Sequence, residues 1–205
     1  MDKKEIFILI LIAVLWILLR IVEYYLLPYY LCPLSWLGVS FAFLIIAIVQ
    51  LIKLIAKIKH IQKIRIIKVV FYGLIFYLSL NRWIVAHIIE KADWRIFYQK
   101  RVEIVEKVQK KELNHNAGRN NRVCELPFEF PIISNGGNDI IISQNDSTQT
   151  ITVEFFIFRN FMSSPSSYFI YTNDKYRIEY YENYIKNNPD NNWKIEDNWY
   201  RITKE

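Results

Sequence analysis

Apolar residues fill the first ninety positions in three blocks and thereafter occur in short alternating or helically spaced runs. Ile6 to Leu19 is unbroken, and Ile21, Val22, Leu26 and Leu27 prolong it to Pro28. Leu34 to Ile52 is interrupted by Ser35, Ser40 and Gln50, and Val69 to Ile89 is a third, less pure block. A hydrocarbon layer of about 30 Å takes roughly 20 residues of helix, so the pattern predicts transmembrane spans over 6–27, 34–52 and 69–89. No small-x-small cleavage site follows Lys3 and Lys4, so the first span reads as an uncleaved anchor. Tyr24, Tyr25, Tyr29, Tyr30 and Trp36 surround the first loop; amphipathic rings prefer the headgroup layer and place that loop at an interface.

From residue 91 the period changes. Trp94, Phe97, Tyr98, Val102, Val105 and Val108 recur at helical steps among charges, which predicts a stalk helix and linker over 91–122. The soluble domain is expected over 123–205. Its strand candidates are Phe128 to Ile133, Ile140 to Ser143, Thr150 to Arg159, Tyr168 to Thr172 and Trp193 to Ile202, separated by turn-forming stretches such as Asn135-Gly136-Gly137. In the third run both faces are apolar at the far end, so something must pack there, and the stalk helix is the candidate. Tyr176 to Asn187 reads as a helix with Tyr180, Tyr181, Tyr184 and Ile185 on its inner side. The predicted fold is therefore a membrane α-helical region of three transmembrane helices plus a small α+β domain, an antiparallel β-meander packed on a long helix.

Charge separates the halves further. Residues 1–90 hold ten Lys/Arg against four acids, whereas residues 91–205 hold sixteen of each sign. The soluble half lacks the excess that phosphate binding needs, so nucleic acid is not an expected partner. Lys53, Lys57, Lys59, Lys63, Arg65 and Lys68 mark the second loop as cytoplasmic, with the N-terminus inside and the C-terminal domain outside. The basic flank after residue 90 pulls the other way, though residues attached to a long domain weigh less. The second loop reads either as a surface lying on anionic lipid or as a solvated helix extension.

Candidate chemistry is sparse. Arg20, Glu23, Asn81 and Arg82 form an expected polar cluster in the membrane, either interhelical glue or an ion path. His60, His87 and His115 share no metal or dyad spacing, and Cys32 and Cys124 form no ligand cluster; two unpaired thiols or one bridge both fit. No metal, catalytic group or small-molecule cofactor is expected. Glu125 with Glu129, and Glu196 with Asp197, are carboxylate pairs that could serve acid and base roles in an envelope hydrolase, although solvated strand ends explain them equally well. The domain is dense in aromatic residues, most of them expected in the core, and for the surplus a binding loop of Arg159, Phe161, Met162 and Pro165 is the candidate surface.

Leu126-Pro127, Ser134-Asn135-Gly136-Gly137, Phe156 to Arg159, Tyr171 and Trp199-Tyr200 together resemble a pattern in uncharacterised bacterial membrane-anchored proteins with small exported α+β domains. That resemblance covers roughly the last eighty residues and implies no activity. The expected function is a non-enzymatic protein of the bacterial cytoplasmic membrane that presents a protein-binding domain outside, such as an immunity or antagonist protein. Its expected partners are membrane lipid and another protein. The alternatives are the envelope hydrolase and a subunit of a membrane transport or assembly complex.

Overall fold

The computed structural model describes residues 3–26, 31–58, 62–117, 122–127, 132–159 and 165–204. The chain divides into two compact units, Met1–Lys91 and Ala92–Glu205.

The first unit is helical. Helix α1 is Lys3–Tyr25, α2 is Cys32–Ile55, α3 is Lys63–Leu80, and α4, Arg82–Gln109, begins here. Lys3–Tyr25 and Pro33–Ile55 are long and apolar enough to cross a membrane, with mean hydropathies of 2.8 and 2.4. Their large side chains point outward: Phe7, Leu34 and Phe41 are each about two-thirds exposed, an arrangement that suits lipid and not water. The third predicted span, 69–89, is not one straight helix. It breaks at Asn81, where α3 and α4 meet at 78°, and it counts as a third candidate span only if the bent pair is taken together. The cause is local. Asn81 leaves helical geometry at ψ 57°, and its backbone and side-chain amides both donate to the Tyr77 carbonyl, at 2.9 and 3.0 Å, closing α3 there.

The second unit is a six-stranded antiparallel sheet with helices on both faces. Strands β1 (Val123–Glu125), β2 (Asp139–Asn145), β3 (Thr150–Phe158), β4 (Ser166–Thr172), β5 (Trp193–Glu196) and β6 (Trp199–Lys204) lie in the order β1-β2-β3-β4-β6-β5. Helix α5, Lys175–Asn187, joins β4 to β5. Cross-strand partners share a face, so the registers Phe155↔Phe169↔Arg201 and Val153↔Tyr171↔Trp199 define one side of the sheet. There the segment expected as a stalk, residues 92–109 of α4, lays Trp94 against Phe169 and Trp199 at 4.9 and 5.0 Å and buries Val105 and Val108. On the other side Ile170, Tyr200 and Ile202 pack with Tyr181 of α5. Strand β3 is consequently buried from Ile151 to Ile157, along nearly its whole length and not only at its far end.

Two strand expectations change. Trp193 to Ile202 is not one strand: Asp197-Asn198 makes a turn, with Asn198 at φ 65°, and splits it into β5 and β6. Phe128 to Pro131 lie outside the described residues, and Ile132 to Ser134 form a loop instead of a strand end.

The α5 side of the core carries a pH signature. Burial, and then the Glu154 carboxylate, push the Tyr181 hydroxyl up to about 12 from 10.0. The folded protein keeps a proton that the unfolded chain releases near pH 10, so stability is full below that pH and falls as pH rises toward 12. The loss amounts to roughly 2–3 kcal/mol. Urea titrations of wild type and Tyr181→Phe at pH 9 and 12 should show the wild type losing more; equal losses would assign the alkaline weakness to other groups.

Candidate functional site

The membrane cluster expected from sequence is partly assembled. Arg20 Nη1 donates to Glu23 Oε2 at 2.6 Å, and Ser35 Oγ donates to Glu23 Oε1, so α1 and α2 are tied together. The Arg20 guanidinium lies 5.6 Å from the Trp16 ring and that of Arg82 5.7 Å from the Trp36 ring. Both indoles then converge on α3. Trp16 Nε1 donates to Ser79 Oγ at 2.9 Å and Trp36 Nε1 to the Ser79 carbonyl at 2.6 Å, and Ser79 is fully buried. Glu23 thus bonds Arg20 and not Arg82, while Asn81 serves the helix break. Sequence reading left Trp16, Ser35, Trp36 and Ser79 out of this cluster. The available signal was the spacing of Trp16 and Arg20, four apart on one helix face, and serine inside otherwise apolar runs.

In the second unit the loop from Ser134 to Asp139 finishes the edge of β3. Among the described residues, pairing of β2 with β3 stops at Ile140↔Phe155 and no strand neighbours the β3 backbone beyond it on that side. Side chains supply the missing partners: Phe156 N donates to Ser134 Oγ at 2.9 Å, and Asn135 Nδ2 donates to the Ile157 carbonyl at 2.6 Å. Asn138 Oδ1 accepts from the backbone amides of Ile133 and Ser134 at 2.9 and 3.3 Å. Such a path requires a left-handed backbone at three successive residues, Gly136 (φ 86°), Gly137 (φ 113°) and Asn138 (φ 67°). Arg159, expected in a binding loop, is pinned at the base of this turn. Its Nη1 pairs with Asp139 Oδ2 at 2.5 Å and donates to the Gly136 carbonyl at 3.2 Å, and a Cβ at Gly136 would sit 2.9 Å from Arg159 Cδ. Pro165 is exposed, and Phe161 and Met162 lie outside the described residues.

No family model, curated protein or solved structure matches this chain.

Of the carboxylates named for a hydrolase, Glu125 and Glu196 lie far apart. Glu125 is on β1 and Glu196 on β5, the two opposite edges of the sheet. Five strand spacings of about 4.8 Å put them roughly 24 Å apart. Asp197 is fully exposed beside Lys194, and Glu129 lies outside the described residues. Cys124 is a free, fully buried thiol that burial and the carboxylates of Asp139 and Glu125 push up, the reverse of what an activated nucleophile requires. Among the described residues no group of three His, Cys, Asp or Glu gathers as a metal site.

Two surface features remain. Among the described residues of this unit, Ile96, Tyr176 and Tyr180 are the exposed large hydrophobics, at 69, 78 and 53%. Tyr180, expected on the inner side of α5, faces outward and stacks on Tyr184 at 6.1 Å; Tyr181, one residue on, is buried in the core, and Tyr184 and Ile185 pack half-buried against it as expected. Tyr176, Tyr180 and Tyr184 are four apart and form a row along the helix. Beside the first turn of α5 lies a cleft of about 570 Å³ lined by His115, Arg122, Asp146, Asp174 and Arg177 and by polar and isoleucine positions of β2 and β3.

Proposed function

We propose that the chain is an integral protein of a bacterial cytoplasmic membrane that crosses it three times, counting the bent α3 and α4 pair as one span, and presents its second unit outside for binding to another protein. The threading rests on the Lys/Arg-rich connection between α2 and α3, which short-loop charge bias keeps in the cytoplasm. The binding role rests on the tyrosine row. Among the described aromatic rings of this unit Tyr176 and Tyr180 alone are exposed, the others being buried or half-buried, and both stand on a regular helix anchored from below by Tyr181. Tyrosine presents a large, stiff contact area with a polar tip, and such residues dominate the energetics of interfaces.

A photoreactive amino acid placed at Tyr176 or Tyr180 of the full-length chain in cells should give one discrete protein adduct, absent when the same group replaces the exposed Glu103. Tyr176→Ala with Tyr180→Ala should reduce recovery of that partner by more than about tenfold, the scale of an interface hot spot. Stability should change by less than about 0.5 kcal/mol, since both rings are exposed. An identical adduct from all three positions would defeat the assignment.

A further inference from the structure

We infer that the end of the helical unit where α2 turns into α3 is a docking site for anionic phospholipid, with Lys53, Lys57 and Lys63 meeting the headgroup phosphate and Ile55 and Ile58 entering the acyl layer beside them. The inference rests on the membrane-spanning reading proposed above and adds what this end of the chain binds. Two contacts assemble it. Lys68 Nζ of α3 pairs with Glu5 Oε1 of α1 at 2.6 Å, and Arg65 Nη1 of α3 donates to the Lys53 carbonyl of α2 at 3.1 Å. The start of α1, the end of α2 and the start of α3 therefore lie together. Because α2 stops at Ile55 and α3 starts at Lys63, the basic stretch doubles back between two helices.

Among the described residues this end holds seven lysines and arginines, from Lys3 and Lys4 on α1 to Lys68 on α3, and a single acid, Glu5. Lys68 takes that acid, and Arg65 is spent on the end of α2. Lys53, Lys57 and Lys63 are exposed and have no carboxylate partner among the described residues, so their charge is available to a ligand. Charge alone would suit any polyanion; the choice of lipid comes from what stands between the lysines. Ile52, Ile55 and Ile58 are 60, 58 and 65% exposed. A nucleic acid or an acidic protein segment docked from water would leave these side chains uncovered, whereas a bilayer takes them into its apolar region and meets the ammonium groups with phosphate. Lysine suits that boundary, since its carbon stem stays in the apolar layer while its ammonium reaches the headgroups. A headgroup without net charge would leave the surplus cations unneutralised, so the lipid must be anionic.

The test uses the full-length chain in nonionic detergent and reads its melting temperature by tryptophan fluorescence as dioleoyl phosphatidylglycerol or dioleoyl phosphatidylcholine is added. Phosphatidylglycerol should stabilise the chain at a concentration about tenfold lower or less. Lys53→Gln, Lys57→Gln and Lys63→Gln, made separately, should each weaken that response about fivefold, the scale of one lysine beside an anionic surface. Ile55→Ser with Ile58→Ser keeps every charge and should weaken it as well. Lys107→Gln, Lys175→Gln and Lys186→Gln together, all exposed positions of the second unit, should leave it unchanged. The proposal is overturned if the two lipids act equally, or if the second-unit changes cost as much as those at the basic end. It is also overturned if the isoleucine changes have no effect, or if polyglutamate stabilises as phosphatidylglycerol does, which would make the partner an acidic macromolecule. Equal stabilisation by free glycerol phosphate would overturn it too, as a small-anion site. A chain that stays monodisperse without detergent refutes the membrane-spanning reading itself, whereas one that needs detergent yet shows no lipid preference refutes this inference alone.

Discussion

Arg101→Met should lower the stability of the second unit by about 3–5 kcal/mol, the cost of stripping one partner from a buried ion pair. Arg101 and Asp93 are 2 and 3% exposed, and Arg101 Nη2 meets Asp93 Oδ2 at 2.6 Å. The same guanidinium donates through Nη1 to the Asp93 carbonyl at 3.2 Å, and through Nε and Nη2 to the Ile133 carbonyl at 3.1 and 3.0 Å. Its plane lies 4.8 Å from the Phe169 ring. One side chain therefore ties α4 to the loop before β2 and to the sheet. Methionine fills much of the volume but leaves a buried carboxylate without its cation and a carbonyl without two donors. Adding Asp93→Leu should recover part of the loss, because removing both charges also removes their desolvation cost, while the Ile133 carbonyl stays unpaired. Urea unfolding of the full-length chain in detergent, followed by tryptophan fluorescence, measures both. A single variant within 1 kcal/mol of wild type would show that this pair does not hold the unit together.

Periodicity made the architecture legible where one rule acted alone. The apolar blocks of α1 and α2 have no competing reading, and the alternation in Thr150 to Phe158 marks β3 because strand side chains change face at every residue. Reading failed where a polar side chain overrode the pattern. Asn81 and Arg82 interrupt a block whose other residues favour a continuous span, and the helix bends there, with the Asn81 side-chain amide joining its backbone N–H on the Tyr77 carbonyl. Asp197-Asn198 lies inside a run of aromatic and β-branched residues, and the left-handed preference of asparagine turns the chain there. Val123 to Glu125 is too short to announce itself and becomes β1 only because the exposed edge of β2 accepts it.

The sites were less legible because they depend on contacts distant in sequence. Arg101 did carry a local mark: it lies seven residues after Trp94, four before Val105 and seven before Val108, on the apolar stripe of α4. A cation on a buried stripe is either a register error or a buried ion pair, and Asp93 two turns earlier is its partner. No comparable mark gives away the cleft, since His115, Arg122 and Arg177 are brought together only by the sheet. Tyr180 and Tyr181 also look alike in sequence; one residue step is 100° of helix rotation, enough to send one ring to water and the next to the core.

Glu23→Leu should destabilise the first unit by several kcal/mol, on the same scale as loss of the Arg101 pair, for a sharper reason. Arg20 is 4% exposed, its Nε and Nη2 are buried without a hydrogen-bond partner, and Glu23 Oε2 neutralises it through Nη1. Leucine at 23 would leave a cation enclosed by apolar helices and would release Ser35 of α2 as well. If the cluster is glue, Arg20→Met with Glu23→Leu should restore most of the melting temperature in detergent, because the buried charges vanish together and the tryptophan bonds to Ser79 keep α1, α2 and α3 joined. If it is an ion path, Glu23→Gln should leave the melting temperature unchanged and abolish proton flux in proteoliposomes. The first outcome is expected, because the carboxylate already spends both oxygens, on Arg20 and on Ser35. A Glu23→Leu chain that melts with wild type would dismiss the glue reading altogether.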